Sequence, residues 1–125
     1  MKSVYFGIKY HPDNRNRAVI EEFEKCFFEH GFKSYCVVRD MEAWGEASFS
    51  AEKIMRETFA KIDSVDLVVI DVSEKGIGLG IEAGYARAKG KELIVTARKG
   101  TEVSTTISGI ADQVIDYESI SDINI

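Results

Sequence analysis

The sequence predicts an α/β domain: a three-layer α/β/α sandwich on a five-stranded, parallel, doubly wound sheet of the flavodoxin or Rossmann-like kind. Three observations lead there. Strand-like and helix-like segments alternate along the whole chain, the pattern of βα units. The segment Asp66–Val72, DLVVIDV, is almost wholly apolar, as a central parallel strand covered on both faces must be. The 125 residues hold no repeat, low-complexity stretch or linker, so a single domain over residues 1–125 is expected, large enough for a core without staples.

Ser3–Ile8 reads as the first strand. Asp13 or Asn14 has the side chain to cap the helix that follows, which runs to about His30 with Val19, Ile20, Phe23 and Phe27 at helical spacing. Gly31 ends it. Phe32–Val38 reads as the second strand and Arg39–Ser48 as a loop holding Trp44 and Gly45. A second helix is expected over Ser50–Ile62, with Ile54, Phe59 and Ile62 turned inward. The central strand leads into a glycine-rich turn and a third helix, from about Leu79 to Lys89, stopped by Gly90. Leu93–Ala97 reads as the fourth strand, Val103–Ile110 as a short helix and Gln113–Asp116 as the last strand. Ser119–Ile125 shows no clear pattern.

The net charge of −5 and a pI near 5.1 argue against a nucleic-acid backbone or an anionic membrane as main partner, while leaving room for one small nucleotide. Cys26 and Cys36 lie in apolar runs without metal-ligand spacing and read as reduced core residues. His11 and His30 form no catalytic or metal pair. The N-terminus is strand-like rather than a signal peptide, and no apolar run approaches the ~20 residues that span a bilayer, so the cytoplasm is the expected compartment. No cofactor or metal is expected.

Ligands of doubly wound sheets bind beyond the carboxyl ends of the strands. The candidate loops are therefore Gly7–His11, Arg39–Trp44, Ser73–Gly80 and Arg98–Ser104. The third is the most informative: Gly76, Gly78 and Gly80 allow close approach and positive φ, and they feed a helix N-terminus that favours anions. Its match to a dinucleotide fingerprint is poor, because it follows the third strand and no acidic residue ends the next one. Glu82 falls in the first turns of that helix, where the dipole is expected to keep it ionised. It reads either as a carboxylate nucleophile beside a cleft or as a helix-start glutamate paired with Arg87 or Lys89.

At this turn the sequence resembles the nucleoside 2-deoxyribosyltransferase superfamily, which includes the 2′-deoxynucleoside 5′-phosphate N-hydrolases. Val4-Tyr5-Phe6-Gly7 resembles the family's first strand and site tyrosine. Gly78-Leu79-Gly80-Ile81-Glu82-Ala83-Gly84-Tyr85-Ala86 matches its glycine turn and catalytic glutamate. Gly90-Lys91 with Leu93-Ile94-Val95 is similar to its next strand, and Val103–Gly109 to the hydrolases' phosphate-binding segment. The resemblance implies cleavage or transfer at the N-glycosidic bond of a 2′-deoxynucleoside or its 5′-monophosphate. Glu82 would be the nucleophile and Tyr5 its orienting partner, with a homodimer or larger assembly completing the site.

Substrate contacts are then expected from Gly7, Lys9, Asp40, Asp71, Gly76, Gly78, Gly80 and Ser104, with Arg39 or Arg98 adding charge. Asp122 and Asn124 could serve a neighbouring subunit's site. Two positions depart from the family pattern: Thr58, beside Glu57, stands where an aspartate assists the leaving base, and Gly76 where an aspartate or serine is common. Asp40, Asp71 or Glu74 could supply the missing acid. Trp44 either stacks on a base or covers the core. The competing reading is a non-catalytic nucleotide-binding module on the same fold.

Overall fold

Successive side chains of a strand point to opposite faces, and here that alternation divides the core in two. The computed structural model describes residues 1–125. Its strands are β1 (Lys2–Gly7), β2 (Phe32–Tyr35), β3 (Leu67–Asp71), β4 (Glu92–Arg98) and β5 (Gln113–Tyr117). All pairings are parallel, in the order β2-β1-β3-β4-β5. The helices are α1 (Arg17–Glu29), α2 (Ala51–Ser64), α3 (Ile77–Ala88) and the single turn α4 (Thr105–Ser108). Chain direction across the sheet reverses between β1 and β3, the place where such folds open a crevice. No helix is long and apolar enough to cross a membrane.

Val4 and Phe6 of β1, with Leu67, Val69 and Ile94 of the neighbouring strands, meet Ile20, Phe23 and Phe27 of α1. Phe6 stacks on Phe23 with ring centroids 4.5 Å apart. Each such buried ring contributes about 1.5–3 kcal/mol of transfer free energy. On the other face Tyr5, Val68, Ile70 and Val95 meet Ile62 of α2 and Leu79, Ala83 and Ala86 of α3. All five β3 residues are buried, so the apolar run is the covered central strand the sequence indicated.

Four readings are corrected. Asp13 and Asn14 do not cap α1, which starts at Arg17. They build the turn before it: Asn14 takes φ +55°, its side-chain amide donates to the Trp44 carbonyl, and the Asp13 carboxylate accepts from the Arg15 N–H. The second strand ends at Tyr35 rather than Val38, and Val37–Met41 form a π-helical turn. Here the Asp40 carboxylate takes the Cys36 N–H at 2.9 Å and the Asp40 N–H returns to the Cys36 carbonyl at 2.8 Å. A side chain that claims a strand amide ends the strand.

The run Arg87, Lys89 and Lys91 reads in sequence as one solvated helix face, but the Lys91 ammonium donates to the Asp63 and Val65 carbonyls at the end of α2. Finally, the tail is structured. A 3₁₀ turn at Ile120–Asp122 buries Ile120 and Ile123 against α1, and Asp122 and Asn124 stay exposed.

Candidate active site

Alternation along β1 sends Tyr5 and Gly7 to the face that carries α3. One and a half turns into α3, Glu82 points back at them. The Tyr5 hydroxyl donates to Glu82 Oε1 at 2.7 Å. Gly7 leaves the space this requires: a Cβ there would lie 2.7 Å from Glu82 Oε1 and 2.7 Å from Ile70 Cδ1. Gly78 faces the other carboxylate oxygen, and a Cβ on it would stand 3.7 Å from Glu82 Oε2.

These groups line a cleft of about 360 Å³ between the end of β1, the π-helical turn and α2. Its walls are mainly apolar, from Phe6, Ile8, Val37, Val38, Ile54 and Met55, and Tyr10 and Thr58 also line it. Thr58 is fully buried, so the threonine that replaces a family aspartate does belong to this cleft.

Burial pushes the Glu82 carboxyl up to about 7, and the Tyr5 hydrogen bond pulls it partly back. The expectation that the helix dipole would hold Glu82 ionised is thereby corrected. The dipole acts within the first turn, whereas Glu82 is the sixth residue of α3 and lies in an apolar wall, so desolvation wins. Burial likewise drives the Tyr5 phenol well above its ordinary value, and the adjoining Glu82 charge adds to the effect. The phenol is a hydrogen-bond donor here and not an acid. Glu82 makes no ion pair with Arg87 or Lys89, which turn to Asp112 and Asp63 instead.

The structure separates other residues that the sequence placed together. Asp71 sits at the end of β3 on the opposite, α1-facing side of the sheet. It is buried, with its carboxylate accepting from Tyr117 at 2.7 Å, Thr96 at 2.9 Å and the Ser73 N–H at 3.1 Å. It therefore does not face Glu82, and three donors already bind its carboxylate. Asp40 is also away from the cleft, held by Arg39 and the Cys36 N–H. Arg39 is bound to Glu24 and Asp40 and offers no free charge.

Lys9, with His11 and Arg98, lines a second cleft of about 480 Å³ on the α1 side, where His11 contacts Glu74. Lys9 also reaches across to the glycine turn, its Cδ 3.4 Å from where a Gly76 Cβ would stand. Ser104 caps α4 by accepting the Thr106 N–H, and lines a third cleft with Gly76 and Gly80. Gly76, Gly78 and Gly80 take no positive φ, contrary to the sequence expectation; Gly76 is extended and the others are helical, so their role is a bare surface rather than a special turn. Trp44 covers the α1 core, with the Arg17 guanidinium 4.5 Å over its ring, and does not line the Glu82 cleft.

Sequence reasoning missed Glu42, which lines the Glu82 cleft, and Tyr117, which anchors Asp71. Glu42 lies in a segment read as loop, and nothing in its spacing distinguished it. Tyr117 fell one residue beyond the expected end of the last strand. No three His, Cys, Asp or Glu side chains gather into a metal-holding group.

No family model matches the chain. In sequence it is 24% identical to the nucleoside deoxyribosyltransferase of Lactobacillus leichmannii, over 98% of this chain and 89% of that protein. In structure it is similar to the CMP N-glycosidase of Clostridium botulinum, with a TM-score of 0.68 and 20% identity over 95% of this chain and 91% of that one. A 2-deoxyribosyltransferase from Bacillus psychrosaccharolyticus gives a TM-score of 0.72 and 12% identity, covering 96% and 88%. The resemblance to the nucleoside 2-deoxyribosyltransferase superfamily is borne out, and the five-stranded parallel α/β fold is shared.

Proposed function

We propose that this protein cleaves or transfers the N-glycosidic bond of 2′-deoxynucleosides or their 5′-monophosphates, with Glu82 as the nucleophile. One observation carries the reading: a carboxylate oriented by the Tyr5 hydroxyl at 2.7 Å lines an open, apolar cleft at the crevice of a parallel sheet. In this mechanism the Glu82 carboxylate attacks the anomeric carbon, and the base departs through a transition state with oxocarbenium character. Water or a second base then attacks the glycosyl-enzyme and restores the carboxylate, as in glycosidases that retain configuration. An apolar wall suits the flat face of a base and strengthens every charge interaction formed once water leaves.

The sequence and structural relatives, a deoxyribosyltransferase and a CMP N-glycosidase among them, support this class of chemistry. Lys9, near the glycine turn, and Ser104, in the adjoining cleft, are the groups we assign to a 5′-phosphate, with Gly7, Gly76, Gly78 and Gly80 providing the bare surface along which the sugar lies. A homo-oligomer belongs to the same reading. Ile77 and Ile81 stand exposed one turn apart on α3, the helix that carries Glu82, an unpartnered apolar edge that a second copy would cover. Sedimentation analysis tests that part.

The activity test incubates the protein with a panel of deoxynucleosides and deoxynucleoside monophosphates, with and without acceptor bases, and follows free base or exchanged product by chromatography. Product from wild type and none from Glu82→Ala supports the enzyme. Binding of an unchanged ligand would favour the non-catalytic module, the reading to which Thr58 in place of an acid lends weight.

A further inference from the structure

We infer that the α1-side cleft is a second ligand site, for a chain of linked phosphates, and that the Glu74 carboxylate stands in it as an internal competitor. The inference goes beyond the N-glycosidic reading and does not need it. The cleft lies on the other face of the sheet from Glu82, and its occupancy is measured without turnover.

The cleft opens at the carboxyl edge of the sheet, where ligands of doubly wound folds bind. Its volume of about 480 Å³ exceeds the 360 Å³ of the Glu82 cleft. Two banks of basic side chains line it. Lys9, His11 and Arg15 follow β1, while Arg98 closes β4 and Lys99 follows it. β3 runs between those strands, so the banks stand two strand spacings apart, about 9–10 Å. A single phosphate would sit against one bank, whereas a chain of phosphates carries charge to both. In a protein of net charge −5, this gathering of positive groups focuses anions into one concave place.

Arg98 has a fixed direction and a free charge. Its N–H donates to Ser73 Oγ at 2.8 Å, and its guanidinium lies 5.5 Å over the Tyr117 ring. Tyr117 lines the cleft and is itself anchored on Asp71, so Arg98 is held along the cleft wall. The guanidinium has no ion-pair partner. Its fork of donors therefore remains open to phosphate oxygens. Arg15 and Lys99 pair with Asp13 and Glu118, neither of which lines the cleft. Lys9 borders the glycine turn as well and is counted with the substrate above, so Arg98 is the free cation that belongs to this cleft alone.

Glu74 supplies the second observation. It comes from the loop between β3 and α3, and its carboxylate is hydrogen-bonded to the His11 ring in the segment after β1. No other side-chain bond holds that carboxylate, and the Glu74 side chain is 56% exposed against 12% for His11. A pair with one member so exposed stabilises little and gives way readily. While it lasts, Glu74 occupies a donor that a phosphate oxygen would use, and its charge repels an incoming anion. Binding exchanges one acceptor on His11 for another as Glu74 swings into solvent. Asp71 does not compete in this way, because Tyr117, Thr96 and the Ser73 amide already bind it. Neutralising Glu74 should thus raise affinity, the reverse of what losing an ordinary contact does.

Calorimetric titration at low salt tests it, with inorganic phosphate, pyrophosphate, a deoxynucleoside monophosphate and the matching triphosphate. The proteins are wild type, Glu74→Gln, Arg98→Met and Glu82→Gln. Pyrophosphate should bind wild type at least about tenfold more tightly than inorganic phosphate. Glu74→Gln should tighten pyrophosphate binding about threefold to thirtyfold. Arg98→Met keeps an apolar stem over the Tyr117 ring and should weaken binding more than about tenfold. Glu82→Gln should bind pyrophosphate as wild type does. A triphosphate that binds more tightly than pyrophosphate supports the site with a nucleoside on the chain, and equal affinities support it with phosphates as the whole ligand. No pyrophosphate binding below about 10 mM to wild type or Glu74→Gln overturns the site. So does binding that is unchanged in Arg98→Met, or lost in Glu82→Gln, which would put the anion beside Glu82. Binding to Glu74→Gln no tighter than to wild type overturns the internal competitor. None of these results bears on the N-glycosidic reading, which product formation tests separately.

Discussion

Tyr5 on the first strand and Glu82 on the third helix, 77 positions apart, meet in a single 2.7 Å hydrogen bond. Removing its donor tests what the bond does. Tyr5→Phe keeps the ring packed on the α2 and α3 face and deletes only the hydroxyl. A hydrogen bond to a charged group is worth about 1.5–3 kcal/mol, so kcat should fall on the order of tenfold to a hundredfold. The low-pH limb of the rate profile should also move to higher pH, since the lost bond was lowering the Glu82 carboxyl. A rate loss with an unmoved limb would show that Tyr5 acts only by packing.

In the proposed mechanism Glu82 attacks as the carboxylate, and burial holds its carboxyl near 7. That mechanism predicts that kcat/KM declines as pH falls below about 7, where the folded protein protonates Glu82. An ordinary exposed glutamate would hold activity down to about pH 4.5. A profile flat from pH 8 to 5 would contradict the burial effect.

The same shift acts on stability, with the sign opposite to that of an ion-paired carboxylate. The folded state keeps the Glu82 proton up to about 7, above the ordinary value of 4.5 at which the unfolded chain releases it. This group's favourable contribution is complete below 4.5 and is lost as pH rises through 7. Glu82→Gln cannot ionise, so at pH 8 it should be more stable than wild type by on the order of 1–3 kcal/mol, with no such gain near pH 4. Urea unfolding at the two pH values measures it.

On the other face of the sheet, Asp71 is buried and saturated by Tyr117, Thr96 and the Ser73 amide. Tyr117→Phe should cost about 1–2 kcal/mol by leaving one buried lone pair unmet, and Asp71→Ala about 2–4 kcal/mol by orphaning the Thr96 hydroxyl and leaving Tyr117 only its longer contact with the Ser73 hydroxyl. Denaturant midpoints report both. If the pair served catalysis instead, Tyr117→Phe would change rates with the midpoint unmoved.

The thiols offer a simple probe. Cys36 is almost fully buried and its thiol is pushed up to about 11 by burial, while Cys26 is raised in the same way. Both should react with a thiol reagent at pH 8 at least about a hundredfold more slowly than free cysteine, and at ordinary rates once urea unfolds the chain. Fast labelling of Cys36 in the native protein would mean that the cleft opens far wider than its walls indicate.

Much of this was legible in the residues. The first strand and the unbroken apolar run of β3 were legible from residue type, and the family resemblance singled out Tyr5; which face of the sheet Tyr5 occupies came from the structure. Glu82 was legible because a glycine-rich stretch before a helix leaves that helix's first turns bare. What was not legible depended on contacts between distant segments. Asp40 reads as a strand-end residue facing the crevice, yet it folds back on the Cys36 amide and turns the chain away. Asp71 reads the same way, but parity on β3 sends it to the α1 side, a distinction that residue type cannot express. The ionisation of Glu82 was misjudged because a helix dipole is visible in sequence whereas the walls that remove water are not. Glu42 escaped notice because the π-helical turn that precedes it, and brings it to the cleft wall, has no sequence signal.

Gly7 has a consequence for anyone sorting related chains by this tyrosine–glutamate pair. The empty space at that position holds the phenol and carboxylate at bonding distance, since any side chain there would meet Glu82 Oε1 and Ile70 at 2.7 Å. A chain that retained both residues but had gained a methyl group at this point would have to push the Glu82 carboxylate aside, and so part the pair. Presence of the tyrosine and the glutamate is thus an incomplete signature, and the missing third mark is an absence of atoms.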